Sequence, residues 1–436
     1  MVSIMGIRTL FRLSSILLPV FCLPLAPAAA TGADPETLER LRALLLELKA
    51  EQARIGARIE ALEAELESSA DTPPRDAVSA AAPPPPVEAE VVEESRPSRL
   101  RLSGDLRLRY EGNYGDADAP VRNRGALRAR LRAEYSVLDN LVVGAELATG
   151  SSDDPNSTDV TLSNFVDDFE VSLSRAFARY SLGPVDALGG KFANPFRRTD
   201  LVWDGDVNPQ GAALVYSQPL GTAASLRAAG LYFLVDEAVA GPDSTMIGGQ
   251  LALEAAPHPD LRASLAAGYY DYELDSLAGA DAGDFRSNLR NGAGGYLSDF
   301  DLVDIIAALT YGGLGERWPV AVTGNYVTNL GAATADDTGF AVTLTAGRAQ
   351  TPGDWRLGYG YAQAEVDAVL AAFSHDNLAI ATNYEAHSLT LDFVPADHLT
   401  LNATFYRYRP LDMAFAGTND PDDWLERLRL NLLVAF

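Results

Sequence analysis

From residue 99 to the last residue, apolar and polar side chains alternate one for one in segment after segment, and no other feature restricts the fold of this chain as much. In LRLSGDLRLRYE, Leu100, Leu102, Leu106, Leu108 and Tyr110 share one face, and Arg101, Ser103, Asp105, Arg107, Arg109 and Glu111 share the other. In LRARLRAEY, Leu127, Ala129, Leu131, Ala133 and Tyr135 alternate with Arg128, Arg130, Arg132 and Glu134. A period of two is strand geometry. A soluble sandwich also alternates, but it rarely carries so many charges over consecutive strands without one uniformly apolar core strand. The pattern predicts strands near 99–111, 122–135, 140–149, 169–180, 185–193, 211–218, 223–236, 244–256, 261–274, 301–313, 318–329, 339–350, 354–366, 383–394, 398–409 and 424–436. That is about 16 strands, an even number, as single-chain bacterial barrels require.

The links between these segments alternate in length. Short ones hold turn formers: VLDN (137–140), LGPV (182–185), PLGT (219–222), PHPD (257–260), GLGER (313–317), TPGD (351–354) and PADH (395–398). Longer polar links run over 112–121, 150–168, 194–210, 237–243, 275–300, 330–338, 367–382 and 410–423. Tight turns at one end and long loops at the other are the asymmetry of outer-membrane barrels. Lipid demands this solution, because backbone groups must be paired internally and a closed barrel leaves no edge. Tyr110, Tyr135, Tyr326 and Trp355, near strand ends, are expected at the membrane interfaces. The expected fold class is therefore an all-β transmembrane protein, an antiparallel barrel of residues 99–436. The last segment, LERLRLNLLVAF, ends on Phe436, and an amphipathic final strand with a terminal aromatic is similar to the assembly signal of outer-membrane barrels.

The first 98 residues read differently. Arg8 and Arg12 precede an apolar stretch from Leu13 to Leu25, and Ala28, Ala29 and Ala30 follow, which predicts a secretory signal peptide over 1–30. Cys22, the one cysteine, falls inside it, so the mature chain is expected to carry no disulfide or thiolate metal site. Residues 31–70 carry a heptad seam with Leu38, Leu45, Gln52, Ile59 and Leu66 at a and Leu41, Leu48, Ile55 and Leu62 at d. The pattern predicts a periplasmic coiled coil that assembles with copies of itself. Residues 71–98, with Pro73, Pro74, Pro83 to Pro86 and Pro97, read as an extended acidic spacer.

Sixty acids against 34 bases give a net charge of -26 and argue against nucleic acid as a partner. The charge is not evenly spread: residues 99–132 hold nine Arg and four acids, whereas 133–436 hold 16 bases and 41 acids. Parity puts Arg101, Arg107 and Arg109 on the polar face of one strand, and Arg124, Arg128, Arg130 and Arg132 on that of the next. Facing lipid would cost several kcal/mol each, so these arginines are expected to line the lumen. They could attract anionic solutes, or they could be a solvated wall neutralised by Asp105, Glu111 and Glu134. The acidic outer links, with Asp153, Asp154, Asp167, Asp168, Asp420, Asp422 and Asp423, would blunt anion entry at the mouth.

GKFANPF (190–196), DLVWDGDVNPQG (200–211), GDLRLRYEGN (104–113), RNRGALRARLRAEY (122–135) and LATG (147–150) resemble the bacterial "putative porin" family of Gram-negative outer-membrane barrels, over roughly 99–436. Gln210 departs from the acidic residue expected there. The resemblance implies a water-filled diffusion channel, a trimer in the outer membrane. In general porins the third long loop folds inward, which here would bring Arg197, Arg198, Asp200, Asp204 and Asp206 into the lumen, with Phe196 and Trp203 pinning the loop. The expected partners are outer-membrane lipid and lipopolysaccharide, the barrel-assembly machinery and, through the coil, the cell wall. No cofactor, metal or catalytic residue is expected, since His258, His375, His387 and His398 are scattered and no P-loop, HExxH or dinucleotide turn occurs. A chiefly structural envelope tether and an anion- or phosphate-selective channel are the alternatives.

Overall fold

The computed structural model describes residues 99–115, 121–163, 168–277, 280, 285, 287–416 and 424–436. The predicted signal peptide, coiled coil and spacer lie outside these residues, as do Asp167, Asp420, Asp422 and Asp423.

Seventeen strands form, in chain order β1 (Leu100–Tyr114), β2 (Arg122–Leu138), β3 (Leu141–Thr149), β4 (Val160–Thr161), β5 (Val171–Leu182), β6 (Val185–Lys191), β7 (Gln210–Leu220), β8 (Ala224–Asp236), β9 (Ser244–His258), β10 (Leu261–Glu273), β11 (Phe300–Tyr311), β12 (Val320–Asn329), β13 (Thr338–Gly347), β14 (Trp355–Ala364), β15 (Tyr384–Ala396), β16 (Leu399–Pro410) and β17 (Leu425–Ala435). Sixteen of them pair antiparallel with their chain neighbours, and β1 pairs with both β2 and β17, so the sheet closes on itself. The two-residue β4, which alternation did not predict, lies outside the ring order and lays loop 150–170 against the outer part of β2. Every other strand falls within about three residues of its expected bounds.

The alternation sorts side chains by face as the sequence suggested. Leu100, Leu102, Leu108 and Tyr110 stand exposed on the outside of β1, and Tyr135, Tyr326 and Trp355 are exposed on theirs. One bulge alters the rule. The β3–β5 register shifts at Glu146/Leu147, so Ser174 and Arg175 both point inward, Ser174 to the Glu146 carboxylate (2.7 Å) and Arg175 to Asn208 (2.7 Å). In the short turns, Gly183 (φ 58°) and Gly221 (φ 73°) take the left-handed backbone that side chains resist.

The β1–β17 seam ends on a glycine. Gly104 donates to the Phe436 carbonyl (2.8 Å) and accepts from the Phe436 amide (3.0 Å). A Cβ on Gly104 would lie 2.5 Å from the Arg130 carbonyl oxygen and 2.4 Å from the Phe436 ring. Gly104→Ala is expected to lower stability by about 1–3 kcal/mol, seen as earlier loss of the folded band on heating in detergent. Gly230→Ala, where nothing lies within 4 Å of the new carbon, should leave it unchanged. Equal behaviour of the two variants would contradict this account of the seam.

Candidate pore and its constriction

Loop 192–209 leaves the wall after β6 and runs through the barrel interior. Its apolar side chains Phe192, Phe196, Leu201, Val202, Trp203 and Val207 are each at most 5% exposed. They pack on the inward faces of β7 to β12. The Trp203 ring stands edge-on to Tyr270 (5.6 Å between centroids), and Phe196 lies 5.0 Å from Tyr270. Burying an aromatic of this size is worth about 3–5 kcal/mol against alanine. Polar contacts fix the backbone: Gln250 accepts from the Arg197 amide (2.7 Å) and donates to its carbonyl (2.8 Å), and the Thr199 hydroxyl donates to Asn325. On the far side, Arg130 donates to Asp206 (2.9 Å) and Arg175 to Asn208. The loop thus touches β2 and β5 at one end and β9, β10 and β12 at the other, which lie across the ring from each other.

A second loop also enters. Residues 367–382 were expected as a polar outer link, yet Asp367, Ala368, Val369, Leu370, Phe373, Ser374 and His375 are all nearly fully buried. The run Ala368 to Phe373 is apolar because it packs on the first loop: Phe373 stacks on Trp203 (5.8 Å), and its carbonyl accepts from the Asp204 amide (2.8 Å). Residues 287–298 hold this second loop from behind. Asn288 donates to the carbonyls of Val366 and Val369, and Ser298 donates to the Asp367 carboxylate (2.6 Å). His375 stands edge-on to Tyr384 (5.0 Å), whereas His258 and His398 lie at short turns and His387 contacts Tyr359 (2.9 Å).

The arginines gather on the opposite wall. Arg107 and Arg109 both meet Asp159 (2.5 Å each). Arg124, Arg427 and Arg429 surround Glu111. Arg128 and Arg130 share Asp105 and Asp206, and Arg132 and Arg175 share Glu146, with Arg132 also reaching Asp105. Arg101 stands apart, exposed near the short-turn end. Sequence reasoning missed Arg175, Arg427 and Arg429, which join the wall from β5 and β17. It also named Glu134 as a neutralising acid. Asp105 and Glu111, named with it, are in contact, and Glu146, Asp159, Asp206 and Asp376 join them, whereas Glu134 sits lower on β2, opposite Arg101.

Three of those carboxylates come from loops. Asp159 belongs to loop 150–170, Asp206 to loop 192–209 and Asp376 to loop 365–383. Burial opposes ionisation of Asp376, but Arg429 (3.6 Å), with Arg109 and Arg107, outweighs it and holds the carboxyl below its usual range. Asp204 lies on the apolar side. Burial, then the nearby Asp200 and Asp376 carboxylates, push its pKa up to about 8, although the Asp206 amide donates to it (2.8 Å). Among the expected loop charges, Arg197 pairs with Glu254 (3.1 Å), and Arg198 and Asp200 are exposed.

A closed sixteen-strand antiparallel barrel with loops folded into it defines the outer-membrane barrel class. A family model described as "Putative porin" matches residues 116–280, in agreement with the resemblance read from the motifs. Among solved structures, OprB of Pseudomonas putida in its high-pH form is similar at a TM-score of 0.53 and 14% identity, over 77% of this chain and 94% of that one. The anion-selective porin of Comamonas acidovorans gives 0.47 at 13% identity, over 77% and 99%. OmpT of Vibrio cholerae, an outer membrane protein, gives 0.47 at 12%, over 79% and 100%. At such identity OprB supports the fold alone, and the other two carry no argument. No curated protein matches the chain.

The raised Asp204 value makes the loop packing sensitive to alkali. Folded, this carboxyl keeps its proton up to about pH 8, whereas unfolded it loses it near 3.8, so its ionisation costs stability progressively between these values. Thermal stability and protection of loop 192–209 from protease are expected to fall as pH rises from about 5 to 8 in the native chain and to level off above that, with a smaller fall over the same range in Asp204→Asn. An identical pH dependence in both would exclude this carboxyl as the cause.

Proposed function

We propose that this protein is an outer-membrane porin, a passive channel for small hydrophilic solutes and ions. One observation carries the reading: the closed barrel draws loops into its interior, yet part of its inner face at loop level stays accessible, namely Ala341, Thr343, Gly360, Ser388 and Thr390 on β13 to β15. A purely structural barrel has no need of an accessible interior. Passive diffusion needs no catalytic group.

In this proposal residues 1–30 export the chain, 31–70 form a periplasmic trimeric coil and 71–98 a spacer, with the long loops facing outward towards lipopolysaccharide. Phe436 supplies the recognition signal for the barrel-assembly machinery, and the coil reaches the cell wall. The inward loop with Arg197, Arg198, Asp200, Asp204 and Asp206 constricts the channel. The arginine wall admits a second reading as an anion-selective filter, favoured by nine arginines against six carboxylates. Against it, each of these arginines already has a carboxylate within 4 Å. The wall then serves chiefly to hold the loops in place.

Planar-bilayer recording of the purified mature protein across a salt gradient tests this. Stable conductance steps are expected. A protein that inserts and never conducts would leave the envelope tether as the function. A reversal potential of strong anion preference would restore the arginine filter.

A further inference from the structure

The loops do not cover the inner face of the barrel evenly. On β8 to β12 it is sealed at loop level: Phe233, Met246, Tyr270, Phe300 and Val327 are at most 5% exposed. On β17, β1 and β2 it is also sealed, since Arg109, Glu111, Arg128, Arg427 and Arg429 are buried in ion pairs with the loops and with each other's partners. The inner face of β13 to β16 is different. On β13, β14 and β15 its residues are small and line up level with one another, and on β16 Tyr406 and Thr404 continue the two rows. Thr343 pairs with Gly360, Gly360 with Ser388 and Ser388 with Tyr406. In the adjoining row Thr345 pairs with Gly358, Gly358 with Thr390 and Thr390 with Thr404.

Across from these two rows lies the 199–201 edge of the first loop, and between them is a cavity of about 280 Å³. A second cavity, about 340 Å³, lies among the long loops, lined in part by the buried Phe233, Leu370 and Phe373. The first cavity is the one that borders the accessible inner face of β13 to β15. Asp200 is the acidic side chain on its border. Its Oδ2 accepts from Asn377 (3.0 Å), and it makes no ion pair among the described residues. Asp204 and Asp206 on the same loop are buried and ion-paired respectively, so neither is offered to a solute.

We propose that solutes pass the loop layer through this slot between residues 199–201 and the small-residue rows of β13 to β15, and that Asp200 is the specificity-determining side chain there, favouring cations over anions. The inference rests on the porin reading and adds a route and a solute class to it: small hydrated cations and neutral hydroxyl-bearing solutes. Hydroxyls on one wall substitute for water of hydration, glycines leave the bore clear, and the Asp200 carboxylate on the other wall, held by Asn377 and with Arg198 nearby, supplies the acidic group that faces the solute.

Cysteine labelling tests the route. Cys22 is the one cysteine and lies in the export segment, so the mature chain is already a cysteine-free background. Thr343→Cys and Ser388→Cys, treated with a bulky methanethiosulfonate, are expected to lose about half or more of their conductance. Leu344→Cys and Leu389→Cys, one residue away and exposed on the outer face, should lose none. If Thr343→Cys fails to fold, Thr345→Cys on the adjoining row replaces it. Labelling that is complete by mass yet leaves the conductance of the inner-face variants unchanged would overturn the slot. Asp200→Asn should move the reversal potential towards anions, and an unmoved potential would remove Asp200 from the specificity role. Absence of steps in the unlabelled native chain would refute the porin reading itself, a result distinct from either.

Discussion

Ion pairs between the arginine wall and three loop carboxylates hold the interior of this barrel together. Guanidinium groups stay charged at any relevant pH, so a wall of them cannot be buried unless acids are brought to it. Asp105, Glu111 and Glu146 come from the wall strands themselves. Asp159, Asp206 and Asp376 each come from a different loop. The need to neutralise the wall is therefore also what draws those loops inward. Breaking one pair would leave a buried charge without its partner, which is far more costly than losing an exposed pair.

The other half of the interior is organised by a different force. Trp203, Phe373, Tyr270 and Phe196 form an aromatic cluster inside the barrel, where a porin wall would otherwise be wet. Each of the two central loops is amphipathic in this sense: loop 192–209 offers Trp203 to one side and Asp206 to the other, and loop 365–383 offers Phe373 and Asp376. Hydrophobic packing at one end and charge pairing at the other stretch both loops across the lumen. What they leave uncovered is the stretch of wall that supplies neither large apolar groups nor charge at that level, the Thr, Gly and Ser rows of β13 to β15.

The strands were legible in the sequence because a two-sided environment imposes a two-residue period, and LRLRYE or LRARLR admits no other regular structure. The inward course of the third long loop was expected from the resemblance to porins, and Phe196 and Trp203, large aromatics in an otherwise polar link, were expected to pin it. Its companion was missed. Ala368 to Phe373 is just as apolar, but small residues at the tip of a link carry no period, and their burial depends on a tryptophan more than 160 residues away in the chain. Parity found the arginines of β1 and β2. It could not tell which acids meet them, because Asp159 and Asp376 reach the wall through tertiary folding of loops. The bulge that turns Arg175 inward likewise follows from pairing with β3 and not from local alternation.

The central claim is that folded-in loops reduce a sixteen-strand barrel to one narrow route. Partitioning of neutral polymers of graded size into the open channel, read as the drop in single-channel conductance, tests it most directly. The account predicts a sharp cut-off, with only the smallest polymers entering. Gradual entry of large polymers, as into an unobstructed barrel of this strand number, would contradict it.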